Sequence, residues 1–430
     1  MVGILDHDRN AVVPLWQAWN PKSNNPVTGL LQRLASPWLD LLLPLSLLGL
    51  AWQRSGDPAG MIWILALWCG FKLLGNVPGQ PAYAVLLGVL AVSVGAVIHP
   101  LSVAAPTDLI LVLLAFAAGL RQSPAQWPLA LWMVLGTVVV SLPFVEFDRL
   151  NGNLDVIPWS VLRDRLPQEA LRIQKITINR SGYLYGLLAL VGYGLSRWEM
   201  RVWWSRGAAL IAALSFVLAI GTGSRAALWF PILAVVGAEL CWQRRQWVAR
   251  HGRALAAGVL ALSLVFNVAT YAPASPLANL NPSDAGRARV AQCFVLRSLR
   301  SGPDLFTGQG YDRVSDHCAS KVFLPERTTG IPHAHNLFLQ VLADHGLVSL
   351  VLLLIALGLT FQRLFQGLAG DQGPLCRLAL ACALFILMSS LVESTLLKTS
   401  LQQVISGYLL AVAWMPGVAR PHADARTIAP

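Results

Sequence analysis

Residues 337–361 read LFLQVLADHGLVSLVLLLIALGLTF, an apolar run long enough to cross a lipid bilayer. Further apolar runs of roughly 17–25 residues recur along the chain, and each is long enough to form a membrane-spanning helix. Hydrophobic residues make up 55% of the 430 residues and charged residues only 12%, whereas a soluble domain carries about 25% charged residues. The runs are continuous rather than alternating, which excludes a transmembrane β-barrel. We therefore expect an all-α polytopic membrane protein.

If each apolar run is one helix, the chain has about twelve membrane helices. Their approximate bounds are 37–53, 59–75, 82–98, 104–120, 127–146, 180–196, 204–221, 224–241, 253–271, 336–361, 375–393 and 400–417. An even number of helices places both termini on one side of the membrane. With the N-terminus inside, the internal short inner loops hold ten basic residues and the short outer loops hold three. The positive-inside rule therefore predicts cytoplasmic termini.

This topology divides the chain into three parts. They are residues 1–271 with the first nine helices and an outer loop at 147–179, a large outer loop at 272–335, and residues 336–430 with the last three helices and a cytoplasmic tail. The outer loops carry many basic residues despite their position, which suggests an anionic ligand on that face.

Both outer loops are expected to contain secondary structure. In the first, proline and an acid at Pro167-Gln168-Glu169-Ala170 favour the start of a helix that runs toward Lys175. In the second, a helix is expected from about Ala285 to Arg300. Cys293 and Cys318 lie in this loop and can form a disulfide if the loop is extracytoplasmic, with two free thiols as the equal alternative.

The segment His333-Ala334-His335-Asn336, which we call the histidine loop, directly precedes the run at Leu337. A histidine changes charge near neutral pH and can act as a general base. Asn336 is expected to orient one of the two rings. Residues two apart diverge in a regular helix, so we expect one catalytic histidine, His335, and no two-histidine metal site.

Four arginines share the outer face with the histidine loop in this topology. Arg180 opens the sixth helix, Arg225 opens the eighth, and Arg287 and Arg289 lie in the large loop. A guanidinium group fits phosphate oxygens, although an arginine at a helix end can also extend to lipid headgroups. Arg287 and Arg289 would point about 160° apart on a helix, so only one of them is expected to face a given ligand.

Three motifs carry a family resemblance. They are Ser224-Arg225-Ala226-Ala227, then Gly286-Arg287-Ala288-Arg289 followed by Gly308-Gln309-Gly310, and then His335-Asn336-Leu337 continued by Asp344-His345-Gly346-Leu347. In these motifs the chain resembles the O-antigen ligase and O-antigen polymerase superfamily of membrane glycosyltransferases. One departure is Cys293, which stands where the family often has an aromatic residue if Arg289 is the matching arginine, so Arg287 remains a second match.

The resemblance implies a GT-C-like enzyme of the bacterial inner membrane. Such an enzyme transfers the O-antigen polysaccharide from undecaprenyl diphosphate to the lipid A–core oligosaccharide on the periplasmic face, without a metal or other cofactor and with inversion. It implies that His335, Arg225 and Arg289 are catalytic. It also suggests that the substrate is bound by Arg180, Arg287, His333 and Asn336.

Three alternatives stay open. An O-antigen polymerase and a protein O-oligosaccharyltransferase would use the same donor with another acceptor. A polysaccharide transporter or flippase is expected to show internal repeats and charges at the bilayer midplane, and neither is evident in the sequence. The chain contains neither GxGxxG nor GxxxxGK[ST], so nucleotide chemistry is not supported. The expected partners are lipids and lipid-linked sugars, and no nucleic acid.

Overall fold

The fold is described from a computed structural model. It describes residues 37–50, 64–65, 67–69, 72, 107–120, 122–149, 169–174, 176, 178–198, 201–271, 282–310, 313–322, 333–393 and 400–415. This part of the chain is mostly helical, which agrees with the predicted all-α class. The predicted helix at 82–98 and most of the one at 59–75 lie outside the described residues.

The elements follow one another in a simple order. The helices before the first strand are α1 (Leu42–Leu45), α2 (Thr107–Leu120) and α3 (Trp127–Ser141). The strands are β1 (Val145–Arg149) and β2 (Glu169–Ile173). The helices after them are α4 (Ile178–Trp198), α5 (Val202–Gly221), α6 (Arg225–Gln243), α7 (Arg245–Arg250), α8 (Gly252–Tyr271), α9 (Pro282–Leu299), α10 (Asp304–Thr307), α11 (Arg313–Val322), α12 (Leu337–Gly367), α13 (Gly373–Val392) and α14 (Ser400–Leu410).

Six segments within the described residues are long and apolar enough to cross a membrane. They are Pro124–Phe144, Val202–Gly221, Arg225–Gln243, Gly252–Tyr271, Leu337–Gly367 and Gly373–Val392. The first consists of α3 with the short 3-10 turns on either side of it. These segments agree with predicted membrane helices in position, because a long apolar run leaves the chain little choice other than a helix in lipid.

Helices α4 and α13 form the centre of the bundle. Leu184, Leu187 and Val191 of α4 are completely buried, as are Leu380 and Phe385 of α13. Helices α5, α6 and α8 instead expose many large apolar side chains along one side. Lipid tails can cover these outer sides, so the exposed leucines and valines carry no cost in a membrane.

Small residues allow the central helices to approach closely. A Cβ atom added at Gly186 of α4 would lie 3.0 Å from Phe385 of α13 and 3.2 Å from Pro231 of α6. Membrane helices lack a hydrophobic force between them and rely on this kind of tight van der Waals packing.

The first outer loop contains strands, so its predicted helix is wrong. Strand β2 pairs antiparallel with β1, and Glu146 lies opposite Arg172 with 2.8 Å between the carboxylate oxygen and Nε. Leu171 and Ile173 are buried, and their alternation with Arg172 is the period of a strand. The local helix-start chemistry at Glu169 was outweighed by this pairing with a segment far away in the chain.

The large loop contains the predicted helix, here α9. It is joined to α11 by a disulfide between Cys293 and Cys318, which decides between the two alternatives left open by the sequence. Val290, Phe294 and Val314 form a small buried core around this link, separate from the main core of the bundle. Ala334 of the histidine loop packs into the same small core.

Two polar clusters mark the end of the bundle opposite to the histidine loop. Lys72 and Asp40 form a buried ion pair of 3.0 Å, and Tyr408 donates a hydrogen bond to the same carboxylate. Arg377 at the start of α13 lies 3.6 Å from Glu239 of α6. Arg377 and Glu393 are separated by about 24 Å along α13, so the bundle has two distinct polar ends.

Candidate functional site

The histidine loop brings both imidazole rings to the same side. Neither ring lies on α12, which begins at Leu337, and His335 has a left-handed backbone with φ of 49°. The ring centroids are only 4.0 Å apart. The prediction that the two rings diverge is therefore wrong, since it assumed a regular helix at these positions. A non-glycine residue in this conformation costs roughly 1–3 kcal/mol and is found most often at functional sites.

Both histidines bind one carboxylate, that of Glu393 just beyond the end of α13. Nε2 of His333 contacts Oε1 of Glu393, and Nδ1 of His335 lies 3.3 Å from Oε2. Burial alone would raise the pKa of Glu393, but the hydrogen bonds from His333 and His335, together with their charge, hold this pKa well below its ordinary value. The carboxylate is therefore ionised, and it accepts from both rings.

The contact with Glu393 determines which nitrogen of His335 is available for chemistry. A carboxylate next to Nδ1 favours the tautomer with its proton there and stabilises the ring when it becomes positively charged. The lone pair of the neutral ring is then on Nε2. In this arrangement His335 can accept a proton from a substrate hydroxyl, and Glu393 can hold the ring in place.

A side chain of α12 fixes the backbone of the histidine loop by a hydrogen bond. Gln340 accepts a hydrogen bond from the Ala334 amide at 3.0 Å and donates one to Asp344 at 2.7 Å. Since Ala334 is also buried in the core that holds the disulfide, the residue between the two histidines is held on two sides.

Asn336 anchors the loop and does not orient a histidine ring. Its side-chain oxygen accepts from the Leu339 amide at 3.0 Å, which caps the start of α12. Its amide nitrogen donates to Asn267 of α8 at 2.7 Å and to the Leu391 carbonyl of α13 at 2.8 Å. The prediction that Asn336 orients a ring is therefore wrong, and its complete burial argues for a structural role.

The Gly308-Gln309-Gly310 motif joins the large loop to α12. The backbone amide of Gln309 donates to the Ala343 carbonyl at 2.9 Å, and that of Gly310 donates to the Asp344 carbonyl at 3.2 Å. A Cβ atom on Gly308 would lie 2.3 Å from the Asp344 carbonyl oxygen, so only glycine permits this approach.

Gly346 completes this junction with a break in α12. Its φ of 81° and ψ of 178° are not helical, and a Cβ atom there would lie 2.3 Å from the Phe306 carbonyl oxygen. Gly308, Gly310 and Gly346, all from the sequence motifs, thus allow the large loop to pack against α12 after the histidine loop.

Arg180 and Arg225 open neighbouring helices. Arg225 is the first residue of α6, where the Ser224 hydroxyl accepts from the Ala227 amide at 3.5 Å. Arg180 lies two residues before Gly182, whose added Cβ atom would be 2.6 Å from the hydroxyl oxygen of Thr222. Arg180 and Arg225 therefore lie next to the point where α4 packs closely against the turn before α6.

This crossing lies at the same end of the bundle as Glu393. Phe385 of α13 packs on Tyr183 with 6.3 Å between ring centroids, and α13 and α4 run antiparallel. From this contact α13 extends about 12 Å to Glu393, while α4 extends about 4–5 Å back to Arg180. The starts of α4 and α6 and the end of α13 thus form one end of the bundle, which we call the histidine end.

Arg287 and Arg289 both lie on α9, where only their place in the helix is described. Val290, Ala291 and Phe294 form the buried stripe of this helix. By helical periodicity Arg287 falls in the middle of that stripe, three, four and seven residues before these positions, and Arg289 falls on the opposite side. The register therefore places the two arginines on opposite sides of α9, with Arg287 on the side of the buried residues.

Sequence reasoning assigned no role to Glu393 in this site. Glu393 stands at the end of a long apolar run, which was a local signal, but its pairing with residues about sixty positions earlier is a property of the packed helices. The trio of His333, His335 and Glu393 also brings one possible metal-ligand atom from each side chain within 4.8 Å of the others.

The chain was compared with known proteins in two ways. Neither the scan against protein-family models nor the search of curated proteins found a match. The family resemblance therefore rests on the sequence motifs alone.

Proposed function

We propose that this chain is a membrane glycosyltransferase of the O-antigen ligase type, with a GT-C-like arrangement of about twelve membrane helices. It would transfer the O-antigen polysaccharide from undecaprenyl diphosphate to the lipid A–core oligosaccharide. The observation that carries this proposal is the contact of Glu393 with Nδ1 of His335, because it leaves a positioned base at the end of a membrane helix.

In the proposed reaction Nε2 of His335 takes the proton from the acceptor hydroxyl. The hydroxyl oxygen forms a bond with the anomeric carbon of the sugar, and the bond from that carbon to the diphosphate oxygen breaks. The electron pair leaves with undecaprenyl diphosphate, and the direct displacement inverts the anomeric centre. Glu393 stabilises the positive charge that the His335 ring acquires.

The arginines would neutralise the leaving diphosphate. Arg180 and Arg225 flank one helix crossing at the histidine end and carry fixed positive charge. Such groups stabilise charge that develops on a leaving phosphate and can take the place of a divalent ion. The α9 register favours Arg287 over Arg289 as a third contact, with Arg289 as the alternative from the motif match.

Two observations support a periplasmic position for the histidine end. A disulfide in the large loop is typical of an oxidising compartment. The opposite end carries Arg244, Arg245 and Arg250 between α6 and α8, as the positive-inside rule expects for the cytoplasmic face. The enzyme would thus lie in the bacterial inner membrane with both termini in the cytoplasm.

A reconstituted assay tests the proposal. Purified chain would be mixed with lipid-linked O-antigen and, in separate reactions, with lipid A–core, with a second lipid-linked repeat or with an acceptor protein. Transfer to lipid A–core in the presence of a chelator supports a metal-independent ligase, and transfer to another acceptor instead would identify a polymerase or a protein glycosyltransferase.

Substitutions test the assignment of the base. His335→Ala is expected to reduce transfer on the order of 10²–10⁴-fold, the usual contribution of a general base. His251→Ala, which removes an exposed histidine at the other end of the bundle, should transfer at the wild-type rate. Full activity of the His335→Ala protein would disprove the proposed role of His335.

A further inference from the structure

The trio of His333, His335 and Glu393 has the composition of a transition-metal site. Each residue offers one ligand atom, and these atoms lie within 4.8 Å of one another. Two imidazole nitrogens and one carboxylate oxygen are a ligand set that zinc accepts, and catalytic zinc sites use three protein ligands of this kind with one open position. It is the only such group among the residues that the structure describes.

The surroundings of the trio hold the ligands in place and leave them accessible. Exposed fractions are 19% for the His333 side chain, 23% for His335 and 8% for Glu393, so solvent reaches the rings while the carboxylate is largely enclosed. Gln340 fixes the backbone between the two histidines. The Glu393 amide donates to the Ser389 carbonyl at 2.9 Å, which fixes the third ligand to the end of α13.

Only small shifts are needed to surround an ion. Ligand atoms at about 2.0–2.1 Å from a tetrahedral zinc ion lie about 3.4 Å from one another. A cluster within 4.8 Å reaches this spacing by side-chain adjustments on the order of 1 Å. The two histidines already converge on one carboxylate, so the three ligands start close together.

We propose that His333, His335 and Glu393 bind Zn²⁺ and that the bound ion inhibits the transferase. An ion on Nε2 of His335 occupies the lone pair that would take the proton, and an ion on Nδ1 leaves the proton on Nε2. In either case His335 no longer acts as a base. The inhibition rests on the proposed function, whereas the binding of the ion does not depend on it.

Metal binding is tested on the purified full-length chain after removal of metal with a chelator. Isothermal titration with ZnCl₂ should show one ion per chain. His333→Ala and Glu393→Gln should each weaken Zn²⁺ binding at least about tenfold. Loss of an outer-shell partner already lowers metal affinity by about 10–100-fold, and loss of a ligand should lower it at least as much. His251→Ala is the matched control and should bind Zn²⁺ as the wild type does.

Spectroscopy separates this site from nonspecific binding. CoCl₂ titrated into the chain should give the visible absorption of four-coordinate Co²⁺ with nitrogen and oxygen ligands, and His333→Ala should abolish it. Thermal unfolding of each variant would check that the fold is retained. Absence of a stoichiometric Zn²⁺ site, or equal binding by the wild type and both variants, would overturn the proposed site.

The activity measurement distinguishes the two proposals. With lipid-linked donor and lipid A–core, ZnCl₂ at saturation should lower transfer at least about tenfold, and a chelator should restore it. Undiminished transfer by Zn²⁺-loaded enzyme would overturn the inhibition. Zn²⁺ binding without any transfer under metal-free conditions would contradict the proposed function and leave the metal site supported.

Discussion

Nδ1 of His335 lies 3.3 Å from Oε2 of Glu393, although 58 residues separate them in the chain. The contact joins the segment before α12 to the end of α13. A carboxylate in this position fixes both the orientation of the ring and its tautomer. The site thus contains an imidazole and the carboxylate that orients it, supplied by the segment before α12 and the residue after α13.

Replacement of Glu393 by glutamine should impair the chemical step. The amide cannot stabilise a positively charged His335 ring as the carboxylate does, so we expect kcat to fall on the order of 10²-fold with little change in KM. Steady-state kinetics with lipid-linked donor would measure this. Glu146→Gln removes a half-exposed carboxylate from strand β1 and serves as control. An equal loss in both variants would contradict a specific role of Glu393.

The two arginines of α9 should differ in their effect. By helix register Arg287 falls on the side of α9 that carries the buried residues, so Arg287→Ala should lower kcat about 10²–10³-fold if it stabilises the leaving diphosphate. Arg289→Ala should change kcat less than about tenfold. The opposite ranking would show that the motif match, rather than the helix register, identifies the functional arginine.

Loss of the Cys293–Cys318 disulfide should destabilise the large loop and slow transfer. The link closes a segment of 25 residues, and the chain-entropy model assigns about 3.5 kcal/mol to a loop of that size. Because Ala334 shares the small core with the disulfide, Cys293→Ser should also disturb the histidines.

Thermal unfolding and transfer rate, with and without reductant, would measure both effects. Cys241→Ser, which changes a free and half-buried cysteine of α6, is the control and should respond to neither. A loop that remains equally stable and active after Cys293→Ser would show that the small core alone holds it.

Two glycine substitutions distinguish the effect of loop docking at Gly346 from the general effect of glycine on a helix. Gly346→Ala places a Cβ atom 2.3 Å from the Phe306 carbonyl oxygen at a φ of 81°, so we expect a loss of at least about 2 kcal/mol and a lower melting temperature. A Cβ atom at Gly258 of α8 meets nothing within 4 Å. Gly258→Ala should therefore be neutral or slightly stabilising. A similar melting temperature for both variants would disprove the tight docking at Gly346.

The membrane helices were readable from the sequence because their signal is local and strong. The apolar run at 337–361 and the arginine at the start of α6 both appear where the sequence places them. The strand Glu169–Ile173 was misread because its partner, Val145–Arg149, lies about twenty residues away. Its alternation of buried Leu171 and Ile173 with Arg172 was present in the sequence, but the helix-start residues suggested another structure.

Only part of the histidine site was predicted from the sequence. His335 stood out as a titratable residue before a membrane helix, and that is where the structure has it. Glu393 and Gln340 could not be assigned because their roles depend on the left-handed backbone at His335 and on the packing of α12 against α13. Asn336 was misassigned for the same reason, since its partners Asn267 and Leu391 belong to two other helices.

The break at Gly346 sets the depth at which the site lies. Helix α12 has 31 residues, more than a bilayer requires. The part after the break, 347–367, is about 31 Å long and matches the hydrocarbon thickness of about 30 Å by itself. In a bilayer crossed by this part, the turns before the break, which dock to α10, would lie in the headgroup layer. If the donor is the proposed lipid-linked diphosphate, its diphosphate would lie in the same layer, and its anomeric carbon would be presented there while the lipid stays in the bilayer.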